Sequence, residues 1–537
     1  MTSRARVAPA ARTRVSGKPE GAVRIAALDI GSNSIRQIVA DVTPNGMIRV
    51  VDEMKAAPRL GAGTSETRRI GEGSMRNALE VIGRMVTLAR QLGAERIEAV
   101  ATSAVRDTIN GELFLDLVRE ETGLTVRTLE GEDEARLSFR SALAHFELGK
   151  GRAVVLDIGG GSLELALSAD GLLDRLISLP LGALRLTEEF MPDRITRSRV
   201  KKLRRKVRRA LGRKLPVRNW RGAMVIGSGG TCTNIGEMHL ARRGLHMAQT
   251  VQGTKVPCAE IERMLDLLVD LPAEERARVP GLSPVRADII VAGICVIAEV
   301  LERLGSQELT VSSYGIREGL LLETARVRPT IADPGETRQR SIMHLAERSH
   351  YEELHSRHVQ KLALQIFDQL GERLGCGEGE RALLSDAALL HDIGYHINYE
   401  DHHKHSYHLI THAELLGMTP VEQVIVANVA RYHRGPRPKE KHRNYSGLDK
   451  PSRQVVKRLS AILRVADGFD RGHSGAVERV GVEWTDDALV LRATPSARGG
   501  DVQLELWGAD RKSGLLATVA GTPVTIATSA LRNLKAG

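Results

Sequence analysis

The sequence predicts an α/β core of two lobes built on one plan, followed by an all-α domain and a small β-rich C-terminal region. Three observations carry this. The passages LDIGSNSIRQIVAD (28–41) and LDIGGGSLELALSA (156–169) match at Leu, Asp, Ile, Gly and the second Ser, at a constant offset of 128 residues. Self-similarity at a fixed offset marks a repeated structural unit. Of 17 histidines, 14 fall between His344 and His473, on amphipathic helical patterns. From Val477 onward VERVGVEW, ALVLRAT, DVQLELW and TPVTIAT alternate like short strands separated by turns.

The elements follow in order. Residues 1–22 carry Arg4, Arg6, Arg12, Arg14 and Lys18 against Glu20. They lack the apolar stretch of a secretory signal, so a disordered basic tail is expected, with some likeness to an organelle transit peptide. The first lobe spans 23–150. It opens on VRIAALDI, an apolar run of buried-strand type closed by GSNS, and includes the strand-like IEAVATSAVR (97–106) and VRTLEG (126–131). The second lobe, 151–330, begins with AVVLDIGGGS, passes through a basic helical segment at 198–214, and reaches a third glycine-rich turn, VIGSGGTCTNIGEM (225–238). Residues 326–340, with two prolines and little apolar surface, read as a linker. The helical domain then spans 337–476 and the β-rich region 477–537.

Composition narrows the function. A chain of 537 residues has room for three to four domains at roughly 150 residues each. Aromatics make up only 3%, which argues against a single-strand nucleic-acid platform built on base stacking. The longest near-apolar run, 289–301, contains Glu299 and is too short to span a bilayer. Four scattered cysteines form no CxxC pair, so a reducing cytoplasm is expected. The net charge of +11 favours a polyanionic partner, with phosphate chains, nucleic acid and anionic lipid all compatible.

An Asp at a strand end, followed at once by Gly and hydroxyl residues, suits phosphate binding. Glycines leave successive N–H groups free to point at one anion. Gly31, Ser32, Asn33 and Ser34 form one such loop, Gly159, Gly160, Gly161 and Ser162 the second, and Gly229, Gly230 and Thr231 a third that opens a helix. Asp29 and Asp157, acceptor-only when ionised, suit a hard cation such as Mg²⁺.

The two repeats resemble the phosphate loops of the actin-like ATPase and sugar kinase superfamily, with its ribonuclease H-like lobes. More closely, the chain resembles the exopolyphosphatase/guanosine pentaphosphate phosphohydrolase (Ppx/GppA) family. The resemblance runs through AALDIGSNSIRQIVADV (26–42), ATSAVRDTINGELFLDLV (101–118), LEGEDEARLSF (129–139), VVLDIGGGSLEL (154–165), LPLGALRLTEEF (179–190), IGSGGT (226–231) and VSSYGIREGLLLE (311–323). It implies two actin-like lobes with hydrolysis in the cleft between them. By position it implies Glu134 as catalytic base, with the adjacent Asp133 as the other choice, Glu164 as second catalytic carboxylate, and Arg106 as a phosphate ligand. The activity implied is release of orthophosphate from inorganic polyphosphate. Guanosine pentaphosphate (pppGpp) 5′-phosphohydrolase activity is the alternative, and a non-catalytic polyphosphate or nucleotide sensor a third reading. No membrane or nucleic-acid partner is expected, and a homodimer is compatible.

In the basic segment Val200, Leu203, Val207 and Leu211 recur at helical spacing, leaving the other faces to Lys and Arg. These faces read either as solvated charge or as a polyphosphate track that includes Arg204, Arg205, Arg208 and Arg209. In the histidine-rich domain His358, His391–Asp392 and Asp467 resemble the HD phosphohydrolase metal quartet, a fair site for Mn²⁺ or Fe²⁺. His405, His412 and His433 are candidates for a second metal. A live metal site and a relic with a scaffold or dimerisation role both remain open.

Overall fold

A computed structural model of the chain describes residues 18–19, 21–44, 46–148, 150–215, 220–245, 250–327, 334–413, 415, 417–497 and 501–528. The expected basic tail, 1–22, lies almost wholly outside the described residues, as do 328–333 of the expected linker. The chain divides into two units. The first comprises Met1–Cys232, Pro257–Ala277 and Ser283–Ala332; the second takes in Thr233–Val256 and Arg278–Leu282 as well as Asp333–Gly537.

The first unit holds two sheets. In one, β1 (Val23–Ile30), β2 (Ile35–Val42), β3 (Ile48–Ala56), β4 (Arg96–Ala101) and β5 (Val126–Thr128) lie in the order β3-β2-β1-β4-β5. In the other, β6 (Arg152–Ile158), β7 (Leu163–Ala169), β8 (Leu172–Leu179), β9 (Met224–Ser228) and β11 (Glu308–Val311) lie in the order β11-β9-β6-β7-β8; β10 is the short strand Lys255–Pro257. The repeat seen in the two glycine-rich passages extends to strand pairing. Ala26 pairs with Ile97 and Asp29 with Arg36; 128 residues on, Val154 pairs with Val225 and Asp157 with Glu164. The two-lobe core is therefore built on one plan down to its register.

The apolar run of β1 is explained by cover on both faces, as for central strands of mixed sheets. Leu28 and Ile30 pack with Met75, Ile82 and Met85 of helix Glu72–Gln91. On the opposite face Ile25 and Ala27 meet Leu137 of helix Gly131–His145 and Leu320–Leu322 of helix Ile316–Thr324. The same helix 131–145 sends Ala135, Phe139 and Ala142 against Val155, Ala166 and Ile226 of the second sheet. One helix is thus clamped between both sheets, and its first turn carries Glu134.

The second unit contains helices Glu353–Leu370, Glu378–Leu390, His402–His412, Pro420–Arg431 and Lys450–Gly468. It ends in a three-stranded sheet of β12 (Val477–Trp484), β13 (Leu489–Pro495) and β14 (Val524–Thr528), in the order β12-β13-β14. Here the sequence reading is corrected. DVQLELW was expected as a strand, but residues from Gln503 form helix Gln503–Lys512. β13 and β14 pair in parallel, and a parallel pair needs a crossover, usually helical. Helical spacing buries Val502, Glu505 and Ala509 and leaves Leu504 and Trp507 about half exposed. The end region is therefore mixed α/β. No helix among the described residues is long and apolar enough to cross a membrane.

Candidate active site

The three glycine-rich turns sit at strand ends of the first unit. Gly31 follows β1, Gly159 follows β6, and Gly229 follows β9 at the start of helix Gly229–Arg242. The first two touch. A Cβ on Gly160 would lie 3.1 Å from the Asn33 nitrogen and 3.1 Å from Ser32 Cβ. One on Gly161 would collide with Ser103 Oγ, which is itself 2.9 Å from Ser32 Oγ. Glycine suits both positions, because a Cβ on Gly160 would press on the Asn33 backbone and one on Gly161 on the Ser103 side chain.

The carboxylates converge on this junction. Glu134, 3% exposed, accepts from Arg106 Nη1 at 2.5 Å, and the same nitrogen donates to the Leu129 carbonyl at 2.6 Å. Burial pushes the Glu134 carboxyl up to about 8 against the opposing effect of Arg106, with Asp29 and Asp157 adding to the rise. Glu164, 2% exposed, accepts from Ser178 Oγ at 3.0 Å. Burial first, then Glu134, hold it well above the usual carboxylate range. Asp157 accepts from Ser138 Oγ at 2.9 Å and is raised by burial. Asp29 is raised to about 6, again chiefly by burial. Its Oδ1 is shielded from solvent and has no partner. Asp133, one residue before Glu134, instead turns outward to Arg136, 3.8 Å away, with half its side chain exposed. Of the two choices in GEDEAR, only Glu134 faces the other carboxylates.

The structure also adds residues that were not singled out in the sequence. Arg36 and Arg317 lie close enough to Asp29 to oppose the rise of its carboxyl. Glu318 is 2% exposed and accepts from the Gly315 N–H at 2.6 Å. The Arg286 guanidinium occupies the space beside Gly230 where a Cβ would stand. Its Nε is buried without a partner, and burial lowers the group to about 10. Arg185 Nε donates to the Gly161 carbonyl at 2.9 Å and its Nη2 to Asp107 at 2.8 Å. Arg36 had a signal in occupying the repeat position of Glu164, and Arg185, Arg317 and Glu318 lie within stretches that carry the family resemblance; Arg286 had none.

The basic segment forms helix Arg197–Lys214, with Val200, Leu203, Val207 and Leu211 buried. Its basic faces are not equivalent. Arg204 pairs with Glu262 and with Glu299, which is 1% exposed, and Arg208 pairs with Glu299 and Glu302. Arg204, with 20% of its side chain exposed, is taken up by these acids, whereas Arg208 is paired yet exposed, as are Lys201, Lys202, Arg205 and Arg209.

In the second unit His391, Asp392 and Asp467 come together, but His358 does not join them. His355, one helical turn earlier and 1% exposed, takes that place, while His358 is half-buried and hydrogen-bonds the Val477 backbone. Of the further candidates His433 lies in the cluster with His402, whereas His405 and His412 lie outside it. Both differences have one cause: His355 and His358, like His402 and His405, stand three residues apart on a shared helix face, so spacing does not separate them and only packing selects which one reaches the interior.

Paired phosphate loops between two lobes, with buried carboxylates at their junction, make a site for chemistry on phosphoanhydride bonds. The Ppx/GppA phosphatase family matches residues 38–327, and the domain III of these phosphatases matches residues 337–495. The chain belongs to the Ppx/GppA phosphatase family. It is 27% identical over 416 residues to the guanosine-5′-triphosphate,3′-diphosphate pyrophosphatase of Vibrio vulnificus, spanning 76% of this chain and 80% of the relative. It is 31% identical over 314 residues to exopolyphosphatase 1 of Mycobacterium bovis, spanning 56% of this chain and 88% of the relative. The crystal structure of an exopolyphosphatase from Cytophaga hutchinsonii aligns with a TM-score of 0.53 at 25% identity, covering 58% of this chain and 100% of that one.

Proposed function

We propose that the protein is an exopolyphosphatase that removes orthophosphate from the end of inorganic polyphosphate chains in the cleft between its two lobes. The observation that carries the reading is the burial of Glu134 beside Glu164, Asp29 and Asp157 where the two phosphate loops touch. A carboxylate lifted towards neutral pH is suited to act as a general base. Glu134 takes a proton from water as the water oxygen bonds to the terminal phosphorus. The bridging P–O bond breaks, and the shortened chain leaves as a phosphate anion. Arg106 orients Glu134 through its Nη1, and Glu164 is held by Ser178 on the far side of the same cluster. Backbone N–H groups of the loops at 31–34 and 159–162 bind phosphate oxygens, and Arg286 beside Gly230 adds a cation.

The residues fit a magnesium ion. Asp29 Oδ1 is buried and unpartnered, and the two strand-end aspartates form a hard oxygen donor set with raised carboxyls. Asp29 and Asp157 would hold the ion, which when bound neutralises charge on the phosphate oxygens.

Polyphosphate is preferred because Lys201, Lys202, Arg205 and Arg209 leave an exposed basic face suited to a polyanion. The second reading, removal of the 5′-terminal phosphate of pppGpp, is supported by the Vibrio relative, whose match extends through most of this chain. Phosphate release by the purified full chain with Mg²⁺, from long-chain polyphosphate and from pppGpp in parallel, tests the assignment. Turnover of pppGpp alone overturns the first reading, and turnover of neither overturns both.

A further inference from the structure

The second unit gathers six metal-binding side chains from separate stretches of sequence, all buried: His355 at 1%, His391 at 0%, Asp392 at 6%, His402 at 2%, His433 at 2% and Asp467 at 8% exposed. They form two groups that meet at Asp392. On one side, Asp392 Oδ2 lies 3.6 Å from His355 Nε2 and 3.5 Å from His391 Nε2, and Asp467 Oδ1 lies 3.7 and 4.0 Å from the same nitrogens. On the other, Asp392 Oδ1 lies 3.3 Å from His402 Nε2 and 3.3 Å from His433 Nε2, which are 3.4 Å apart.

The hydrogen bonds behind the rings fix their chemistry. His391, His402 and His433 each place Nδ1 on a backbone carbonyl, of Ala388 at 2.7 Å, Tyr399 at 3.0 Å and Ala430 at 2.6 Å. His355 places Nδ1 on Asp470 Oδ2 at 2.8 Å. A carbonyl only accepts, so Nδ1 carries the proton and Nε2 is left to face inward. Four Nε2 atoms then converge on the carboxylate oxygens of Asp392 and Asp467. His355 Nε2, His391 Nε2 and Asp392 Oδ1 have no hydrogen-bond partner. Imidazoles tied back through their other nitrogen are the arrangement that metal ligation uses.

We infer that this cluster holds two divalent transition-metal ions bridged by Asp392, one on His355, His391 and Asp467, the other on His402 and His433. Ligand atoms about 2.0–2.2 Å from a common ion stand at separations close to those observed here. Imidazole nitrogen with carboxylate oxygen suits Mn²⁺ or Fe²⁺. The second ion has fewer protein ligands, and Asp392 also borders a pocket of ≈ 570 Å³ lined by Tyr395, Tyr399, His350 and Arg471. That pocket gives the pair an open side for an exchangeable oxyanion, and Arg471 favours a phosphoryl group.

The test uses the full chain loaded with Mn²⁺ and read by electron paramagnetic resonance. Two Mn²⁺ ions about 3.5–4 Å apart, the spacing of two-metal sites, are exchange-coupled and give a multiline signal. An ion held by Asp29 and Asp157 in the cleft stays isolated, so the readout is independent of the polyphosphatase reading. The coupled signal should vanish in Asp392→Asn, convert to an isolated-ion signal in His402→Ala, and persist in His358→Ala and Glu134→Gln. Inorganic phosphate should perturb it. Unfolding followed by circular dichroism separates ligand loss from misfolding, since Mn²⁺ should raise the melting temperature of wild type but not of Asp392→Asn. Absence of a coupled signal in wild type, its survival in Asp392→Asn, or its loss in His358→Ala overturns the two-ion centre. An unchanged signal with phosphate overturns the open oxyanion side.

Discussion

Arg36 and Glu164 occupy the same place in the two lobes: Arg36 stands opposite Asp29 in the β1–β2 register, and Glu164 stands opposite Asp157 in the β6–β7 register. The scaffold repeats while the charge reverses. In the first lobe the strand-end aspartate has a neighbouring cation that opposes the rise of its carboxyl, whereas in the second it has a buried acid held by Ser178. Hydrolysis needs such asymmetry, with positive charge for phosphate oxygens and carboxylates for water and cations. A repeated fold supplies both by changing one residue per lobe.

Replacing Glu134 with Gln should leave polyphosphate binding intact and lower kcat by roughly 10²-fold or more, as for loss of a positioned base. Single-turnover phosphate release alongside equilibrium binding measures this. Near-normal turnover would remove Glu134 from the role.

The rate should carry a rising limb with pH. Glu134 is raised to about 8, so its base form fills in as pH climbs towards that value and kcat/KM should increase with it. Arg106 acts in the opposite direction and keeps the carboxyl from rising further. In Arg106→Ala the limb should therefore move to higher pH and activity at pH 7 should fall, with partial recovery in Arg106→Lys. A pH profile unchanged by Arg106→Ala would show that the pair does not tune the base.

The contact between the phosphate loops should be intolerant of a methyl group. Gly161→Ala places Cβ against Ser103 Oγ, 3.1 Å from Ser103 Cβ and 3.0 Å from Ser32 Oγ, so the Ser32–Ser103 contact across the lobes must give way. Displacements of this kind cost up to about 10²-fold in rate. Steady-state kinetics should show the loss mainly in kcat, with the melting temperature little changed.

On the basic helix, two kinds of arginine should behave differently. Arg204→Gln removes one of the two arginines on Glu299, 1% exposed, while Arg208 stays in place, so it should destabilise the protein in urea unfolding by less than the about 3–5 kcal/mol of a fully broken buried pair. Arg205→Gln with Arg209→Gln should leave stability unchanged, flatten the salt dependence of KM for long chains, and spare a very short substrate. Equal salt slopes before and after would make this face a solvated surface.

The sequence by itself determined the repeat, the three phosphate turns and the acid-bearing GEDEAR segment. Each of these is local: the glycines, the strand-end Asp29 and Asp157 and the apolar run of β1 answer to backbone constraints and to burial that a short window records. Tertiary structure decided which of several similar residues faces inward. It turned Glu134 into the cleft and Asp133 to Arg136, and it drew Arg204 onto Glu299 while leaving Arg205 and Arg209 outside. In the second unit it chose His355 over His358 and joined His402 to His433. It also made DVQLELW a crossover helix, because β14 pairs in parallel with β13. The physical reason is common to all of these: spacing along a chain fixes which residues share a face, but only the packing of distant segments fixes which face is buried and what it meets there.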